Sequence, residues 1–413
     1  MKPMKRLISL LLAGAAGLAL PTARAEFAIP GFELVHTVPV LTQLETPDLR
    51  SPVEVWRQMF DGARQQIDIA QFYAAGRTGE DLDRVIDRLE AAAARGVRIR
   101  FLMEAKGVRL SEAATLERLK AIRGLEFRLL DFSKLSANGI IHAKYLVVDG
   151  REAFVGSQNF DWRALKHIHE TGLRITDPRL AGQVQAVFDN DWAAQGLIAE
   201  GKPVPPLPQV TAPFDITQKA FLLASPRAWN PPGVGDSQEV LPRLLAQAQK
   251  EVRVQLLDYA PLSYAPGRRP FYAVIDNAVR SAAARGVRIK LMVSHWNTEE
   301  PAIDHLKSLA MLPEVEIRIV TVPQLPGNFI PFARVIHTKA MTIDGELAWV
   351  GTSNWSGGYL DNSRNLEVVL RDKAMADRVA ALHEQLWNSP YAERIDVNRH
   401  YPKPAKGEPA AGN

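Results

Sequence analysis

The hydrophobic pattern predicts strands and helices in alternation along most of the chain. Apolar runs of six or seven residues are typical of buried strands, and the longer stretches that end in Arg-Gly are typical of helices. The order strand, helix, strand occurs twice, over Ile67–Phe72, Leu82–Ala94 and Val97–Met103 and again over Val252–Leu257, Val274–Ala284 and Val287–Val293. This alternation favours an α/β sandwich with mixed, largely parallel sheets.

The same sequence unit is present twice in the chain. Ala92–Arg100 recurs with one change as Ala282–Lys290, 190 residues later. Ile141–Lys144 recurs with one change as Ile336–Lys339, 195 residues later. A repeat of this length indicates that a whole structural unit has been duplicated. We therefore expect two similar half-domains.

Shifts in composition mark the limits of these half-domains. Five prolines within 202–213 predict a stiff linker. The half-domains then occupy residues 26–201 and 214–401. Residues 402–413 are rich in Pro, Gly and Ala, which predicts a disordered tail.

The first 25 residues have the character of an export signal. Basic residues precede an almost wholly apolar run, Leu7–Leu20, and Ala23 and Ala25 place small side chains where a signal peptidase reads them. The run is short for a transmembrane helix. We expect cleavage after Ala25 and a periplasmic or secreted protein, with retention of the segment as an anchor as the alternative.

Removal of this segment changes the charge balance. Four of the 50 basic residues lie in it and none of the 46 acidic residues, so the processed chain would carry no net charge. A global attraction to polyanions is therefore not expected. The chain has no cysteine, which excludes disulfides, thiolate catalysis and cysteine-ligated metals. No other apolar segment is long enough to make the processed protein a transmembrane one.

A polar motif is the second feature that the halves share. In each half a His-x-Lys pair is followed, at the same intervals, by Asp-Gly and then by Gly, a hydroxyl residue and Asn. The residues are His142, Lys144, Asp149, Gly156, Ser157 and Asn159 in the first half, and His337, Lys339, Asp344, Gly351, Thr352 and Asn354 in the second. Taken alone, each piece is an ordinary surface strand, turn or loop. Duplication preserves core residues, so retention of polar residues at identical spacing indicates a function.

The spacing has a physical interpretation. Residues i and i+2 of a strand point to the same face, so each His and Lys should project together. Asp-Gly is typical of a type I′ hairpin turn, so we interpret Asp149 and Asp344 as structural. Gly156 and Gly351 would let the returning strand approach closely. Paired lysines, hydroxyls and carboxamides would then cradle one phosphate group, with the two imidazoles as nucleophile and general acid.

At these residues the chain resembles the phospholipase D superfamily, whose HKD motif reads His-x-Lys-x4-Asp-x6-Gly-Ser-x-Asn. The resemblance covers nearly all of the processed chain. It implies two phospholipase D-like α/β sandwich half-domains related by a pseudo-twofold axis, one shared site, a phosphohistidine intermediate and no metal or other cofactor. It also implies that His142 is the nucleophile and His337 the general acid, and that Glu170 and Glu367 orient the histidines through hydrogen bonds.

Four segments resemble one branch of this superfamily, the mammalian endolysosomal 5′-exonucleases, which are related to poxvirus envelope phospholipases. They are Asn159–Arg163, Ile330–Lys339, Gly351–Tyr359 and Trp387–Tyr391. The resemblance implies a metal-independent phosphodiesterase that removes nucleotides from the 5′ end of single-stranded DNA or RNA. The lack of cysteines and the predicted cleavable signal depart from the mammalian members.

Two other functions remain open. A phospholipase D or transphosphatidylase acting on phospholipid headgroups would use the same two histidines. A non-catalytic polyanion- or lipid-binding module is disfavoured by the intact His-Lys pairs. Two segments rich in aromatic residues and arginine suit either the stacking of bases or a packed lid. They hold Tyr259, Tyr264, Arg268, Arg269, Phe271 and Tyr272 in one loop, and Phe329, Phe332 and Arg334 before the second motif.

Overall fold

The computed structural model describes residues 26–263 and 269–407, so the predicted signal segment lies outside the described residues. The first half contains β1 Ala28–Ile29, β2 Phe32–Thr37, α1 Pro52–Gly62, β3 Gln66–Gln71, β4 Ala74–Ala75, α2 Asp81–Ala94, β5 Arg98–Glu104, α3 Ala113–Ala121, β6 Leu125–Leu130, β7 Tyr145–Val148, β8 Glu152–Gly156, β9 Phe160–Asp161, β10 Glu170–Ile175 and α4 Pro178–Ala199. The second half contains β11 Ala220–Ser225, β12 Gly235–Asp236, α5 Ser237–Gln247, β13 Glu251–Leu256, β14 Tyr259–Ser263, α6 Val274–Ala284, β15 Arg288–Ser294, α7 Ala302–Ala310, β16 Val315–Val320, β17 Ala340–Ile343, β18 Leu347–Gly351, β19 Trp355–Gly357, β20 Asn365–Leu370, α8 Lys373–Trp387 and β21 Ala392–Arg394.

The predicted strand–helix–strand units are confirmed. Helix α6 has the predicted bounds, and α2 begins one residue before its predicted start. Both helices end at the predicted Arg-Gly, where Gly96 and Gly286 adopt φ values of 89° and 88°. Only glycine reaches this left-handed conformation without steric cost, and the chain then turns directly into the next strand.

Each half is built on one large mixed sheet. The strand order is β1-β2-β10-β8-β7-β3-β5-β6 in the first half and β12-β11-β20-β18-β17-β13-β15-β16-β21 in the second. Parallel pairs are confined to β3-β5-β6, β13-β15-β16 and β11-β12 in the described part of these sheets. The prediction of largely parallel sheets is therefore wrong. The hairpins β7–β8 and β17–β18 and the strands beside them pair antiparallel, because a tight turn cannot join parallel neighbours.

The two halves share a hydrophobic core at their seam. Val184 and Phe188 of α4 pack in one buried cluster with Leu222 and Val368 of the second half. Backbone bridges cross the seam in two equivalent places, at Ile141–Arg364 and His169–Ile336. Each member of one bridge lies 195 residues from its counterpart in the other. The halves are therefore related by the predicted pseudo-twofold symmetry.

The predicted tail begins with residues that pack on the second half. Thr298 Oγ1 donates to the Pro402 carbonyl at 3.0 Å, and the Phe332 N–H donates to the Lys406 carbonyl at 2.7 Å. The prediction of disorder is therefore wrong for residues 402–407, because these hydrogen bonds fix the backbone. Residues 408–413 lie outside the described part of the chain. No helix within 26–263 or 269–407 is long and apolar enough to cross a bilayer.

Candidate active site

The two His-Lys pairs lie at the seam between the halves, just before strands β7 and β17 rather than within them. The His142 N–H donates to the Arg364 carbonyl at 3.0 Å, and the His337 N–H donates to the His169 carbonyl at 2.8 Å. Each motif is thus held by the opposite half. Both imidazoles are buried, and burial, followed by the charges of Lys144 and Lys339, lowers the pKa of both. The two motifs therefore form one site.

A carboxylate fixes the second histidine. His337 Nδ1 lies 2.9 and 2.8 Å from the two carboxylate oxygens of Glu170, which belongs to β10 of the other half. Burial, followed by the charges of Lys339 and Lys144, lowers the pKa of His337, while burial raises the pKa of Glu170 to about 8. The pair therefore holds one proton at neutral pH and titrates as a unit. The predicted contact of Glu170 with a catalytic histidine is present.

A carboxamide, not a carboxylate, fixes the first histidine. Asn365 Nδ2 donates to the Tyr359 carbonyl at 2.8 Å, which sets the orientation of the amide. Asn365 Oδ1 accepts from Thr352 Oγ1 at 2.8 Å and lies 2.9 Å from His142 Nδ1. A carbonyl oxygen can only accept a hydrogen bond, so His142 Nδ1 must carry the ring proton. The lone pair of His142 is then on Nε2.

Glu367 does not orient a histidine, so that prediction is wrong. Its buried carboxylate accepts hydrogen bonds from the hydroxyls of Ser237 and Ser353. The position that corresponds to Glu170 by the 195-residue offset is Asn365, two residues earlier on β20. The alignment of the halves at their histidines would have found this residue. Glu367 is the carboxylate nearest to that position on β20.

Both motif lysines are buried. Lys144 Nζ donates to the His142 carbonyl, and Lys339 Nζ donates to the His337 carbonyl at 2.6 Å. Burial lowers the pKa of Lys339 to about 7, although Glu170 and Asp258 act in the opposite direction. Burial and then the charge of Lys339 lower the pKa of Lys144. A bound anion would restore the charge of both lysines, so they are suited to hold a phosphate.

The motif hydroxyls form hydrogen bonds with neighbouring strands of the protein. They do not point into the space between the histidines, so the prediction that they bind the phosphate is wrong. Ser157 Oγ accepts from the Thr171 N–H at 3.0 Å and donates to the Thr171 carbonyl at 3.2 Å. Thr352 Oγ1 accepts from the Leu366 N–H and donates to Asn365. Their proximity to β10 and β20 makes them positioning groups. Thr352 in particular orients the amide that holds His142.

The motif asparagines retain hydrogen-bonding capacity. Among the described residues, Asn354 Nδ2 and Asn159 Oδ1 are buried polar atoms without a hydrogen-bond partner. Asn354 Oδ1 accepts from the Asp258 N–H at 3.3 Å, which leaves the amide nitrogen of Asn354 to donate elsewhere. Buried amide groups seldom lack partners, so an unpaired donor is suited to bind a phosphate oxygen.

The motif Asp and Gly residues have the predicted structural roles. The Asp149 carboxylate accepts from the N–H groups of Arg64, Gln65 and Gln66, and the Asp344 carboxylate does the same at Gln249, Lys250 and Glu251. Positive φ values at both residues of each Asp-Gly pair fit the predicted type I′ turns. A Cβ atom on Gly156 would lie 2.8 Å from the Gly172 Cα, and one on Gly351 would lie 2.5 Å from the Glu367 Cγ. Both glycines thus permit close strand contact.

The aromatic and arginine-rich segments separate into buried and exposed residues. Tyr264 and Arg268 lie outside the described residues. Tyr259 donates to Asp276 and Tyr272 to Gln238, as expected of packed side chains. Arg334 is buried and donates to the carbonyls of Pro323 and Val40. Phe271 and Phe332 are the large apolar side chains of these segments that remain exposed in the described part of the chain.

Further polar groups surround the histidines and were not predicted from sequence. Tyr73 donates to Asp161 at 2.7 Å, and Arg163 Nε donates to both oxygens of the same carboxylate. Asp161 contributes to the raised pKa of Glu170. On the other side, burial raises the pKa of Asp258, against the charge of Lys339. Asp161 and Arg163 lie in a segment that was singled out by resemblance, whereas Tyr73 and Asp258 follow strands without a motif.

Two imidazoles held through Nδ1, with two buried lysines beside them, are suited to bind a phosphate ester and to attack it. The sequence profile described as "Cardiolipin synthase, PLD-like domain" matches residues 56–192 and 241–387. These two matches cover more than half of the chain and coincide with the two halves. The chain belongs to the phospholipase D superfamily and is a phosphodiesterase.

Individual relatives agree with this assignment. Phospholipase D Z of Dictyostelium discoideum is 30% identical over 391 residues, which are 87% of this chain and 90% of the relative. The 5′-3′ exonuclease PLD4 of Mus musculus is 27% identical over 403 residues, which are 86% of this chain and 77% of the relative. The phosphatidylserine synthase of Haemophilus influenzae Rd KW20 shares the fold, with a TM-score of 0.59, 12% identity and coverage of 83% of this chain and 85% of that one.

Proposed function

We propose that this chain hydrolyses single-stranded nucleic acid from its 5′ end through a phosphohistidine on His142, without a metal ion. The observation that carries the mechanism is the unequal support of the two histidines. His142 faces a neutral amide that fixes its tautomer, and His337 faces a carboxylate that shares its proton. A nucleophile must begin neutral and a general acid must begin protonated, and these two environments meet those needs.

In the first step, the His142 Nε2 lone pair attacks phosphorus and the bond between phosphorus and the leaving oxygen breaks. The Glu170–His337 pair gives its proton to that oxygen, which departs as an alcohol. Lys144, Lys339 and Asn354 neutralise or bind the phosphoryl oxygens, whose charge increases at the transition state.

In the second step, water attacks phosphorus on the face that the alcohol has left. The Glu170–His337 pair, now without its proton, accepts one from the water. The bond from phosphorus to His142 Nε2 breaks, and the imidazole recovers its lone pair. The pair ends with one proton, as it began, so the cycle needs no other acid or base.

The preference for nucleic acid is supported by the exonuclease relatives and by exposed Phe332 near the second motif. Other relatives are described as phospholipases D, so hydrolysis or transfer of phospholipid headgroups is the second candidate. A non-catalytic polyanion- or lipid-binding role is the third, and it would leave both buried His-Lys pairs without a purpose. We also propose export through residues 1–25, which N-terminal sequencing of the processed protein would test.

The substrate test compares a 5′-hydroxyl single-stranded DNA with phosphatidylcholine vesicles, both in the presence of a chelator. We expect mononucleotides from the DNA and no choline from the vesicles. The opposite pattern would make the protein a phospholipase, and inactivity on both would favour the binding module.

The mechanism test uses a ³²P-labelled substrate to trap the covalent intermediate on the enzyme. We expect His142→Ala to form no adduct and His337→Ala to accumulate one when the leaving group is p-nitrophenol, which departs without a proton. A phosphohistidine at position 337 in the His142→Ala variant would reverse the two roles.

A further inference from the structure

One exposed aromatic ring in the loop before the second motif is held in an unusual backbone conformation. Phe332 is 49% exposed and has a φ of 57°, and Arg334, two residues later, has a φ of 55°. Bulky residues seldom adopt this left-handed conformation, and it persists only where surrounding contacts impose it. The part of the ring that stays in water gains nothing for folding by being held this way. A ligand-binding role would explain both features.

The contacts that impose this conformation come from both halves. The Arg334 N–H donates to the His167 carbonyl at 3.1 Å, and its buried guanidinium donates to Val40 and Pro323. The Phe332 N–H donates to the Lys406 carbonyl at 2.7 Å. Beside the ring, Trp296 packs edge-on with 6.4 Å between ring centroids. The ring is therefore preorganised, and binding would cost little side-chain entropy.

The same loop is connected to the catalytic groups along two routes. Arg163 Nη1 donates to the Pro331 carbonyl at 3.2 Å, and Arg163 pairs with Asp161, which acts on Glu170. On the other side, the charge of Lys406 acts on Asp258, whose N–H donates to Asn354. Four residues separate Phe332 from His337 along the chain. Phe332 therefore lies in the loop that leads into the second motif.

We propose that the exposed face of Phe332 stacks a nucleobase of the strand whose phosphate occupies the cradle. This inference rests on the proposed nuclease function and names a base-binding residue for it. A base is a flat aromatic group that stacks on a phenyl ring. The neighbouring cations Lys406 and Arg163 are paired with Glu299 and Asp161, so the exposed ring face is the feature that would bind the strand. A fatty acyl chain would instead require a continuous apolar channel, which these two charged neighbours interrupt.

The test removes the ring and the base separately. The substrates are a 5′-hydroxyl trinucleotide and three versions of it that each carry one abasic residue. Stacking on an aromatic side chain changes affinity by roughly 5- to 150-fold per base. We expect one abasic position to lower kcat/KM of the wild type about tenfold. Phe332→Ala should show about the same loss on the intact trinucleotide and no further loss on that abasic substrate.

Two further variants separate stacking from mere bulk. Phe332→Trp should retain wild-type kcat/KM, and Phe332→Leu should resemble Phe332→Ala, because leucine is apolar but has no ring. Phe271→Ala is the matched control, since Phe271 is 68% exposed and contacts His305 instead of Trp296. We expect Phe271→Ala to show the same dependence of kcat/KM on the abasic position as the wild type.

Several outcomes would overturn the proposal. Additive losses from Phe332→Ala and the abasic residue, or full activity of Phe332→Leu, would show that no base stacks on this ring. A loss confined to headgroup release from phosphatidylcholine vesicles would make the ring a lipid-binding group. If the wild type is active and no abasic position lowers its kcat/KM, the stacking alone is refuted. If the wild type releases no nucleotide, the proposed function itself is refuted.

Discussion

Replacement of Glu170 by glutamine would test the division of roles between the two histidines. The substitution keeps the shape of the side chain and its contact with His337 Nδ1, which now measures 2.8 Å to the nearer oxygen. It removes the group that lets the pair hold a proton at neutral pH. We expect the alkaline limb of the pH profile to move to lower pH, because the leaving alcohol must be protonated.

The size of this effect follows from the pKa values at the site. Burial raises the pKa of Glu170 to about 8, whereas His337 by itself has a pKa lowered below its usual 6.5. The pair is then about nine-tenths protonated at pH 7 and half protonated at pH 8. The variant would be at most about one quarter protonated at pH 7 and about 3% at pH 8. The rate should fall at least about fourfold at pH 7 and about 15-fold at pH 8.

The assay measures kcat/KM between pH 5 and 9 on a single-stranded oligonucleotide and on a nucleotide p-nitrophenyl ester. The ester needs no proton at its leaving group, so Glu170→Gln should lose far less activity on it. Asn365→Asp is the matched variant: a carboxylate beside His142 would favour protonation of the nucleophile and move the acidic limb to higher pH. An unchanged alkaline limb in Glu170→Gln, or an equal loss on both substrates, would refute the assignment of His337 as the acid.

Three further predictions concern metal, stability and acid. Activity should persist in excess EDTA, and a loss that a divalent ion restores would refute the metal-free mechanism. Asp149→Ala removes the acceptor of three backbone N–H groups and should lower the free energy of unfolding by about 2–3 kcal/mol in urea titrations, with kcat of the folded enzyme nearly unchanged; a large fall in kcat at unchanged stability would give it a catalytic role. Burial lowers the pKa of His169 to about 4, so its contribution to stability is complete above pH 6.5 and should fall by about 2 kcal/mol at pH 5. His169→Gln should reduce that loss, and an identical pH dependence would show that other groups cause it.

The fold was predictable wherever a local signal specified it. The repeat of Ala92–Arg100 predicted the two halves, and the structure confirms that their helices end at the predicted Arg-Gly pairs. Sheet direction was not predictable in the same way, because an apolar strand has the same pattern in parallel and antiparallel neighbours. The packed residues 402–407 were missed for a related reason. Their composition resembles a free chain, and their backbone is fixed by partners such as Thr298 that are distant in sequence.

The candidate site shows the same division between local and distant information. The identity of each motif residue was visible in the sequence, and Asp149 and Asp344 bind the backbone as their turn role requires. The partner of each histidine was not visible, because it lies on a strand of the opposite half. Glu170 contacts His337 and Asn365 contacts His142 across the seam between the halves. The 195-residue offset between the motifs points to Asn365 in the sequence, but the expectation of a second carboxylate favours the nearby Glu367.

The symmetry of the fold makes its departures from symmetry informative. Two identical halves would give both histidines the same partner and the same proton affinity, so neither would be favoured as nucleophile or acid. The halves differ at Glu170 and Asn365, which occupy equivalent positions. Under the proposed mechanism, the carboxylate gives the site one proton to donate and the amide leaves one lone pair to attack with. A substitution at either of these two positions would therefore change the chemistry of the whole site, because each histidine is held by the half to which it does not belong.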